Sequence, residues 1–371
     1  MRLAILGTRG IPARYGGFET FAEELAARLV TAGHQVTVYT RTHTAVPGVT
    51  VHRGATVRRL PALRFKALET LSHTALSCLD VKRASFDVVL MCNAANAPLL
   101  PLLHARGLPV ALNVDGLERK RRKWGLLGRG YYRVCELLSA RWADALVTDA
   151  RVIQRYYRRA WKRESAMIPY GGDLPLPEGD DALRRLGLND AGYILYVSRF
   201  EPENNPDTVV AAYRGVPGST PLVMVGAAPY AATLIRRVRA LAREDPRVVL
   251  AGPIYGEGYR QLLFHARAYI HATEVGGTHP ALVEAMGAGR VVFFLDNLAN
   301  REVVGDAGVR FSLAGRPALT EVLTDYLGDP KRAERLGAAA RARVMAHYRW
   351  DDVAAAYERL LEGLCSGNPR A

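Results

Sequence analysis

The sequence predicts an α/β protein built of two doubly wound domains, and three observations carry that prediction. Short continuous apolar runs alternate with segments of helical periodicity, and a Gly-, Pro- and Asp-rich stretch interrupts the series once. The charge divides near the same place: residues 1–170 hold 27 Lys and Arg against 12 Asp and Glu, and the remaining residues hold 23 against 24. The whole excess of a net charge of +14 therefore lies in the first part of the 371-residue chain. Two domains with different partners account for such a division.

Each element follows in order. "RLAIL" (2–6) is a buried strand, followed by a glycine-rich turn. Phe18, Phe21, Ala22, Leu25 and Leu29 then recur at helical spacing in a segment that ends near Gly33. "HQVTVYT" (34–40), "DVVLMC" (87–92), "PVALNV" (109–114) and "ADALVTD" (143–149) are further strands. Their apolar runs do not alternate with polar residues, which is the pattern of a parallel sheet covered on both faces. "IPYGGDLPLPEGDD" (168–181) reads as a linker. The pattern restarts with "YILYVSR" (193–199), "PLVMVG" (221–226), "VVLAG" (248–252), "AYIHA" (268–272) and "VVFFL" (291–295). The predicted domains are 1–170 and 180–340. A last helical stretch, Arg341 to Leu364, either caps the second domain or crosses back to the first.

Composition excludes several classes. With 49% hydrophobic and 23% charged residues the chain is globular rather than disordered. Cys78, Cys92, Cys135 and Cys365 are scattered without a C-x-x-C pair, which argues against a structural zinc site and a disulfide framework and fits a reducing compartment. The first apolar run is too short for a signal peptide, and no run approaches a membrane span. A cytoplasmic protein is expected. His271, His279 and the other histidines form no H-E-x-x-H pattern, so no protein-bound metal is expected. No serine sits in a G-x-S-x-G elbow.

Four constellations remain. In "GTRGIPARYGGFETFAEEL" (7–25) a glycine turn joins a strand to a helix whose first N–H groups and positive dipole end favour an anion; the turn also needs glycine simply for positive φ. In "EVGGTHPALVEAMGAG" (274–289) Thr278 can cap a helix with Pro280 in its first turn, and Gly276 and Gly277 would let backbone approach a ligand. Glu284 lies one turn further in, placed to accept from a ribose diol or else solvated. In "YVSRFEPENNPDTVVAAY" (196–213) Arg199 stands at the carboxyl end of a strand, where a guanidinium suits a diphosphate, or pairs with Glu201 or Glu203. In "VDGLERKRRKWGLLGRGYYRVCELL" (114–138) Asp115 follows a strand, then come Arg119, Lys120, Arg121, Arg122, Lys123 and Trp124. That mixture of basic and aromatic residues recurs at 151–163 and 58–66 and suits an anionic membrane surface or nucleic acid.

These blocks resemble family 4 of the retaining, nucleotide-sugar-dependent glycosyltransferases, which have the GT-B fold. The likeness is nearest to the rhamnosyltransferase-like branch of bacterial capsule and exopolysaccharide synthesis. "GTRGIPARYGGFETFAEEL", "DGLERKRRKW", "RFEPENN" and "GGTHPALVEAMGAG" carry it, in that order along nearly the whole chain. The resemblance implies two doubly wound, Rossmann-like domains facing a cleft, with the final helix (about 346–366) crossing back onto the first. It implies that Gly16 and Gly17 approach donor diphosphate and acceptor, and that Arg199 pairs the diphosphate. It further implies that backbone at His279, Pro280 and Ala281 holds phosphate, and that Glu284 binds the donor ribose.

The departures from the family pattern bear on the sugar. The first glutamate of the family's E-x7-E motif, a sugar contact, is here Gly276, which implies a changed sugar pocket such as a 6-deoxy sugar would need. A lysine common five residues after Arg199 is here Asn204, and a histidine common after the fourth strand has Asp115 in its region. The reading is a retaining transferase of L-rhamnose from dTDP-L-rhamnose to a lipid-linked or polysaccharide acceptor, with Arg199 and Asp115 as catalytic candidates. The nucleotide-diphosphate sugar is substrate, no cofactor is implied, and the basic first domain meets an anionic membrane at its inner face rather than nucleic acid. A nucleotide-sugar epimerase of the same fold and a transferase using another UDP- or GDP-sugar are the alternatives.

Overall fold

The computed structural model describes residues 1–14, 16–65, 68–227 and 231–367. By packing, the chain divides into two units. Met1–Lys120, Trp124–Tyr170 and the chain from Trp350 onward form the first; Arg121–Lys123 and Gly171–Arg349 form the second.

The first unit is built on eight strands: β1 (Arg2–Leu6), β2 (Gln35–Arg41), β3 (Val51–His52), β4 (Ala55–Leu60), β5 (Val88–Cys92), β6 (Val110–Asn113), β7 (Ala145–Thr148) and β8 (Ala166–Met167). Their order is β3-β4-β2-β1-β5-β6-β7-β8, parallel throughout except for β3 against β4. Successive residues of β1 explain why the runs are continuously apolar. Leu3 and Ile5 enter one core cluster, while Ala4 and Leu6 enter another on the opposite face.

The second unit holds six strands: β9 (Ile194–Val197), β10 (Leu222–Val225), β11 (Val248–Gly252), β12 (Ala268–His271), β13 (Val291–Leu295) and β14 (Val309–Phe311). They are all parallel, in the order β11-β10-β9-β12-β13-β14. Here too, Leu195 packs on one face and Ile194 and Tyr196 on the other. Both units are Rossmann-like.

The strand orders mark a candidate ligand position in each unit. The direction in which successive strands are added across the sheet reverses between β1 and β5 in the first sheet and between β9 and β12 in the second, although the strands stay parallel. Open parallel sheets bind ligands beyond the carboxyl ends of the strands at such a reversal. The glycine turn leaves β1, Arg199 follows β9, and the 274–280 turn follows β12.

Five helices position functional residues: α1 (Gly17–Thr31), α2 (Leu126–Trp142), α3 (Arg151–Trp161), α4 (Pro280–Gly287) and α5 (Trp350–Cys365). The last helical stretch is not one helix. Pro330–His347 belongs to the second unit, the helix stops at Tyr348, and α5 starts at Trp350 in the first unit. Trp350, Val353, Tyr357, Leu360 and Leu361 of α5 join the same core as Phe21 and Leu25 of α1. The Phe21 and Tyr357 rings lie 5.1 Å apart, and the Tyr357 hydroxyl accepts from the Asn113 side-chain amide at 2.8 Å. Arg28 pairs with Asp351 at 2.9 Å and His34 with Glu358 at 2.6 Å. Truncating Trp350 to alanine would remove about 3–5 kcal/mol of packing.

Candidate functional site

In the first unit the glycine turn satisfies most of its own backbone. The N–H of Arg9 donates to Glu19 at 2.8 Å, Gly10 to the Thr8 hydroxyl at 3.0 Å, Ile11 to the Thr40 hydroxyl at 3.3 Å and Ala13 to Glu23 at 2.6 Å. Residues 9–13 are therefore a fixed turn and not an anion cradle. Gly7 and Gly10 have φ of +88° and +107°, and a Cβ at either would strike the Cys92 carbonyl or the Thr40 side chain. Gly16 differs: it caps α1 in an extended conformation (φ −169°) that any residue adopts, and a Cβ there would meet nothing closer than 3.5 Å. Gly17 opens α1, where the first N–H groups have no acceptor within the helix.

Asp115 follows β6 with φ of +52°, a conformation uncommon for a side-chain-bearing residue and typical of functional sites. Its N–H donates to the Asn113 side chain at 2.9 Å, and its carboxylate accepts from the Tyr170 hydroxyl at 3.3 Å. Near the same end of the sheet, Glu69 receives Arg41 at 3.0 Å, His43 at 2.8 Å and Arg9 at 3.3 Å. Burial pushes the Glu69 carboxyl up, but Arg41 and Arg9 outweigh it and hold the pKa below the usual value. This cluster gave no sequence signal, because its members come from separate segments.

In the second unit the turn after β12 is arranged differently from expectation. His279, not Thr278, is the N-cap residue of α4, with φ −90° and ψ 120°. Pro280 explains it: proline at N1 pre-sets the helix and forces the preceding residue into an extended form. Pro280 has no N–H, so it shapes the helix start but cannot itself donate to phosphate through its backbone. His279 and Ala281 keep theirs; Thr278 is buried beside them. Gly276 also has a structural role. Its φ is +155°, and a Cβ would lie 2.2 Å from the His279 imidazole. The space that a side chain at 276 would need is filled by the His279 ring. Gly277 is buried.

That ring lies tilted against His271, with centroids 4.8 Å apart, and His271 is 4% exposed. Burial pushes the His271 pKa down to about 3. Burial, then His271, Arg121 and Arg199, hold His279 well below the ordinary histidine value. Both imidazoles are neutral at physiological pH. Glu284 is buried and accepts from the Tyr259 hydroxyl at 2.6 Å, which fixes its carboxylate rather than leaving it solvated. The carboxylate nearest the position of the lost motif glutamate, Glu274, is taken by Arg122 at 2.6 Å and Asn205 at 3.0 Å.

Arg199 lies beyond β9, and its carbonyl accepts from the Asn204 amide at 2.6 Å. Asn204 is buried, and its own carbonyl accepts from Tyr196 at 2.6 Å. Asn204 therefore holds the Arg199 loop through its side-chain amide. The run Arg119–Lys123 is not a continuous surface patch. Arg119 pairs with Glu136 at 3.0 Å, Arg121 is 6% exposed and pairs with Glu203 at 3.2 Å, and Arg122 pairs with Glu274 at 2.6 Å. Trp124 packs its ring 5.1 Å from Tyr132, and Lys120 is exposed. The run's alternation of ion pairs needs partners far away in sequence, which a charge count does not reveal. Lys66, part of the 58–66 stretch, lies outside the described residues.

Instead, α2 carries the exposed apolar surface. Leu126 and Leu127 are 86% and 93% exposed, with Val134, Leu137, Arg129, Arg133 and Arg141 exposed along the same helix. Its one acid, Glu136, is buried. Among the described residues no helix is long and apolar enough to cross a membrane. One group of three close metal-capable ligands occurs there, His34, Glu358 and Glu362. It lies before β2, at the amino end of that strand.

Comparison with known proteins agrees with this geometry. Residues 16–171 match the glycosyl transferase 4-like domain, and 181–343 match glycosyl transferases group 1. The chain is 28% identical to a D-inositol 3-phosphate glycosyltransferase of Xylanimonas cellulosilytica, over 92% of this chain and 90% of that one. It is 26% identical to a GDP-mannose-dependent α-(1-6)-phosphatidylinositol monomannoside mannosyltransferase of Mycolicibacterium smegmatis, over 97% and 98%. Among solved structures it shares the fold of sucrose-phosphate synthase from Thermosynechococcus elongatus, with a TM-score of 0.83 at 22% identity over 99% of both chains. Anabaena HepE, solved with UDP and glucose, superposes with a TM-score of 0.80 at 16% identity, over 98% of this chain and 100% of that one.

Proposed function

The chain is a GT-B glycosyltransferase, and from that premise we propose a retaining enzyme that moves L-rhamnose from dTDP-L-rhamnose to a lipid-linked or polysaccharide acceptor. The observation that carries the sugar assignment is the Gly276–His279 contact. Where the family resemblance places a sugar-binding glutamate, this chain has a glycine whose missing side chain is replaced by a neutral, half-buried imidazole. A carboxylate there would favour a sugar rich in hydroxyls, since an unmet buried acceptor costs about 1–3 kcal/mol. A neutral ring tolerates a methyl group at that place.

In this reading the bond between the sugar C1 and the donor phosphate oxygen breaks, and its electron pair goes to the diphosphate. The acceptor hydroxyl bonds C1 on the same face, and its proton passes to the departing phosphate oxygen. Arg199 and the first amides of α4 stabilise the charge that develops there. Glu284, fixed by Tyr259, takes the ribose. Gly16 and Gly17 leave room at the start of α1, and Asp115 contacts acceptor or sugar.

The acceptor reading rests on α2. Its outer leucines and arginines, with no exposed acid, suit the surface of an anionic membrane, where apolar side chains enter the headgroup layer and cations meet lipid phosphate. Binding to phosphatidylglycerol vesicles is expected at low salt and lost in a Leu126→Ser/Leu127→Ser variant; equal binding by both proteins contradicts it.

A second reading, GDP-mannose as donor, is favoured by the relative named for it. Measuring kcat/KM for donor turnover with dTDP-L-rhamnose, GDP-mannose and UDP-glucose separates the two. The rhamnose reading expects at least about a tenfold preference, on the order of 1.4 kcal/mol; preference for GDP-mannose overturns it.

A further inference from the structure

The motif "DGLERKRRKW" has a part that neither surface binding nor packing absorbs. Of its basic residues, Arg121–Lys123 pack with the second unit although the flanking chain belongs to the first. Arg121 is the most buried of them, at 6% exposure. We propose that Arg121 is a second diphosphate-binding cation of the donor site, supplying the charge lost where the family's lysine is Asn204. The inference rests on the nucleotide-sugar reading above.

Three observations meet at this residue. First, Arg121 and Arg199 both help to lower the pKa of His279, the N-cap residue of α4, after burial and His271. That helix start adds its own positive dipole end. Secondly, Arg121 donates from Nη1 to Glu203 at 3.2 Å, and Glu203 is fully buried. Glu203 sits in the short turn Pro202–Asn204 that leads away from Arg199, and its carbonyl accepts the Glu274 N–H at 2.9 Å. The guanidinium is thereby held from the Arg199 loop itself. Thirdly, Asn204 spends its amide on the Arg199 carbonyl, so the position that would bring a lysine brings no charge.

Glu203 faces Arg121, Glu274 faces Arg122 and Asn205, and Glu284 faces Tyr259. Glu201 is buried in the same loop. A nucleoside diphosphate would bring its negative charge to Arg199, Arg121 and the dipole end of α4. A guanidinium donates in a planar fork that matches two phosphate oxygens, which a surface lysine would not do with the same precision. During transfer Arg121 would stabilise the oxygen that receives the electron pair from C1.

The test uses the full chain and calorimetric binding of dTDP, UDP and GDP against the matching nucleoside monophosphates. Arg121→Gln is expected to weaken the preferred diphosphate by about 10- to 100-fold, as for a lost charge-assisted hydrogen bond. The monophosphate should change by about twofold or less. Because Arg121→Gln leaves the Glu203 carboxylate buried without its cation, a second variant, Arg121→Gln/Glu203→Gln, removes both charges. If Arg121 contacts the diphosphate, this double variant stays weak and Arg121→Lys recovers part of the affinity. If Arg121 only neutralises Glu203, the double variant binds like the wild type, which overturns the proposal. Equal binding by wild type and Arg121→Gln overturns it as well. Failure of the wild type to bind any of the three diphosphates would instead overturn the donor reading on which it rests.

Discussion

Two strand–turn–helix segments, one in each unit, use glycine for opposite ends. After β1 the chain spends Gly7 and Gly10 on its own backbone, and the N–H groups of residues 9, 10, 11 and 13 are all consumed within the protein. Gly16 is under no backbone demand. After β12 the glycine at 276 is required, but by a side chain: it gives the His279 ring its seat at the start of α4. A glycine-rich turn thus says little about a ligand until the atom that would meet its Cβ is known. The first turn is closed except at its last step, and the second is shaped around a neutral ring beside Arg199.

The comparison can be broken in four ways, the largest first. Arg199→Ala should lower kcat/KM for donor turnover by about 10²–10³, the cost of removing a charge-stabilising donor. Its thermal midpoint should stay near that of the wild type; unchanged turnover would remove Arg199 from the site. Next, Gly10→Ala and Gly276→Ala should each destabilise by roughly 2–4 kcal/mol, because each adds a clash to a left-handed backbone. Urea unfolding checks this, and a cost under about 1 kcal/mol at Gly276 would mean that the His279 ring is not seated as described.

The third concerns pH. His73 of the first unit is pushed down to about 4 by burial and then Arg41, and His271 of the second to about 3 by burial. Their folded values lie below the unfolded value of about 6.5, so the unfolded chain gains protons first as pH falls. Their contribution is complete above about pH 6.5 and is lost on acidification, on the order of 1.4 kcal/mol per pH unit for each histidine. Urea midpoints from about pH 7.5 to 5 should fall, and less steeply in His73→Gln; a flat wild-type profile contradicts it. The smallest expected stability effect is that of Gly16→Ala, within about 0.5 kcal/mol of the wild type. Turnover should fall nonetheless, and Gly10→Ala serves as the contrast. A Gly16→Ala protein that keeps full turnover would assign the whole first turn to folding.

Sequence reading reached the ten apolar strands because both faces of each sheet are covered, so burial shows as an unbroken run. It did not reach β4, whose residues Ala55–Leu60 alternate between buried and exposed, nor β3, β8 and β14, which have two, two and three residues. The break at Tyr348 was also hidden, since the helical pattern runs through it without a glycine or proline. The places of Arg199 at a strand end and of Glu284 in a helix start were legible in the sequence. Arg121 was not, because its partner Glu203 lies 82 positions away and five consecutive cations look alike in sequence. The seat of the His279 ring was hidden for a different reason. Its role depends on the φ of Gly276, which spacing alone does not give.

The account's central claim is that the donor is held by the second unit, around the start of α4 and the Arg199 loop. Hydrogen exchange with and without saturating nucleoside diphosphate tests it most directly. The account predicts slowed exchange of the amides at 276–284 and 199–205, with the amides of residues 9–13 unchanged because they are already bonded. Protection confined to 9–13, with none at 276–284, would contradict it.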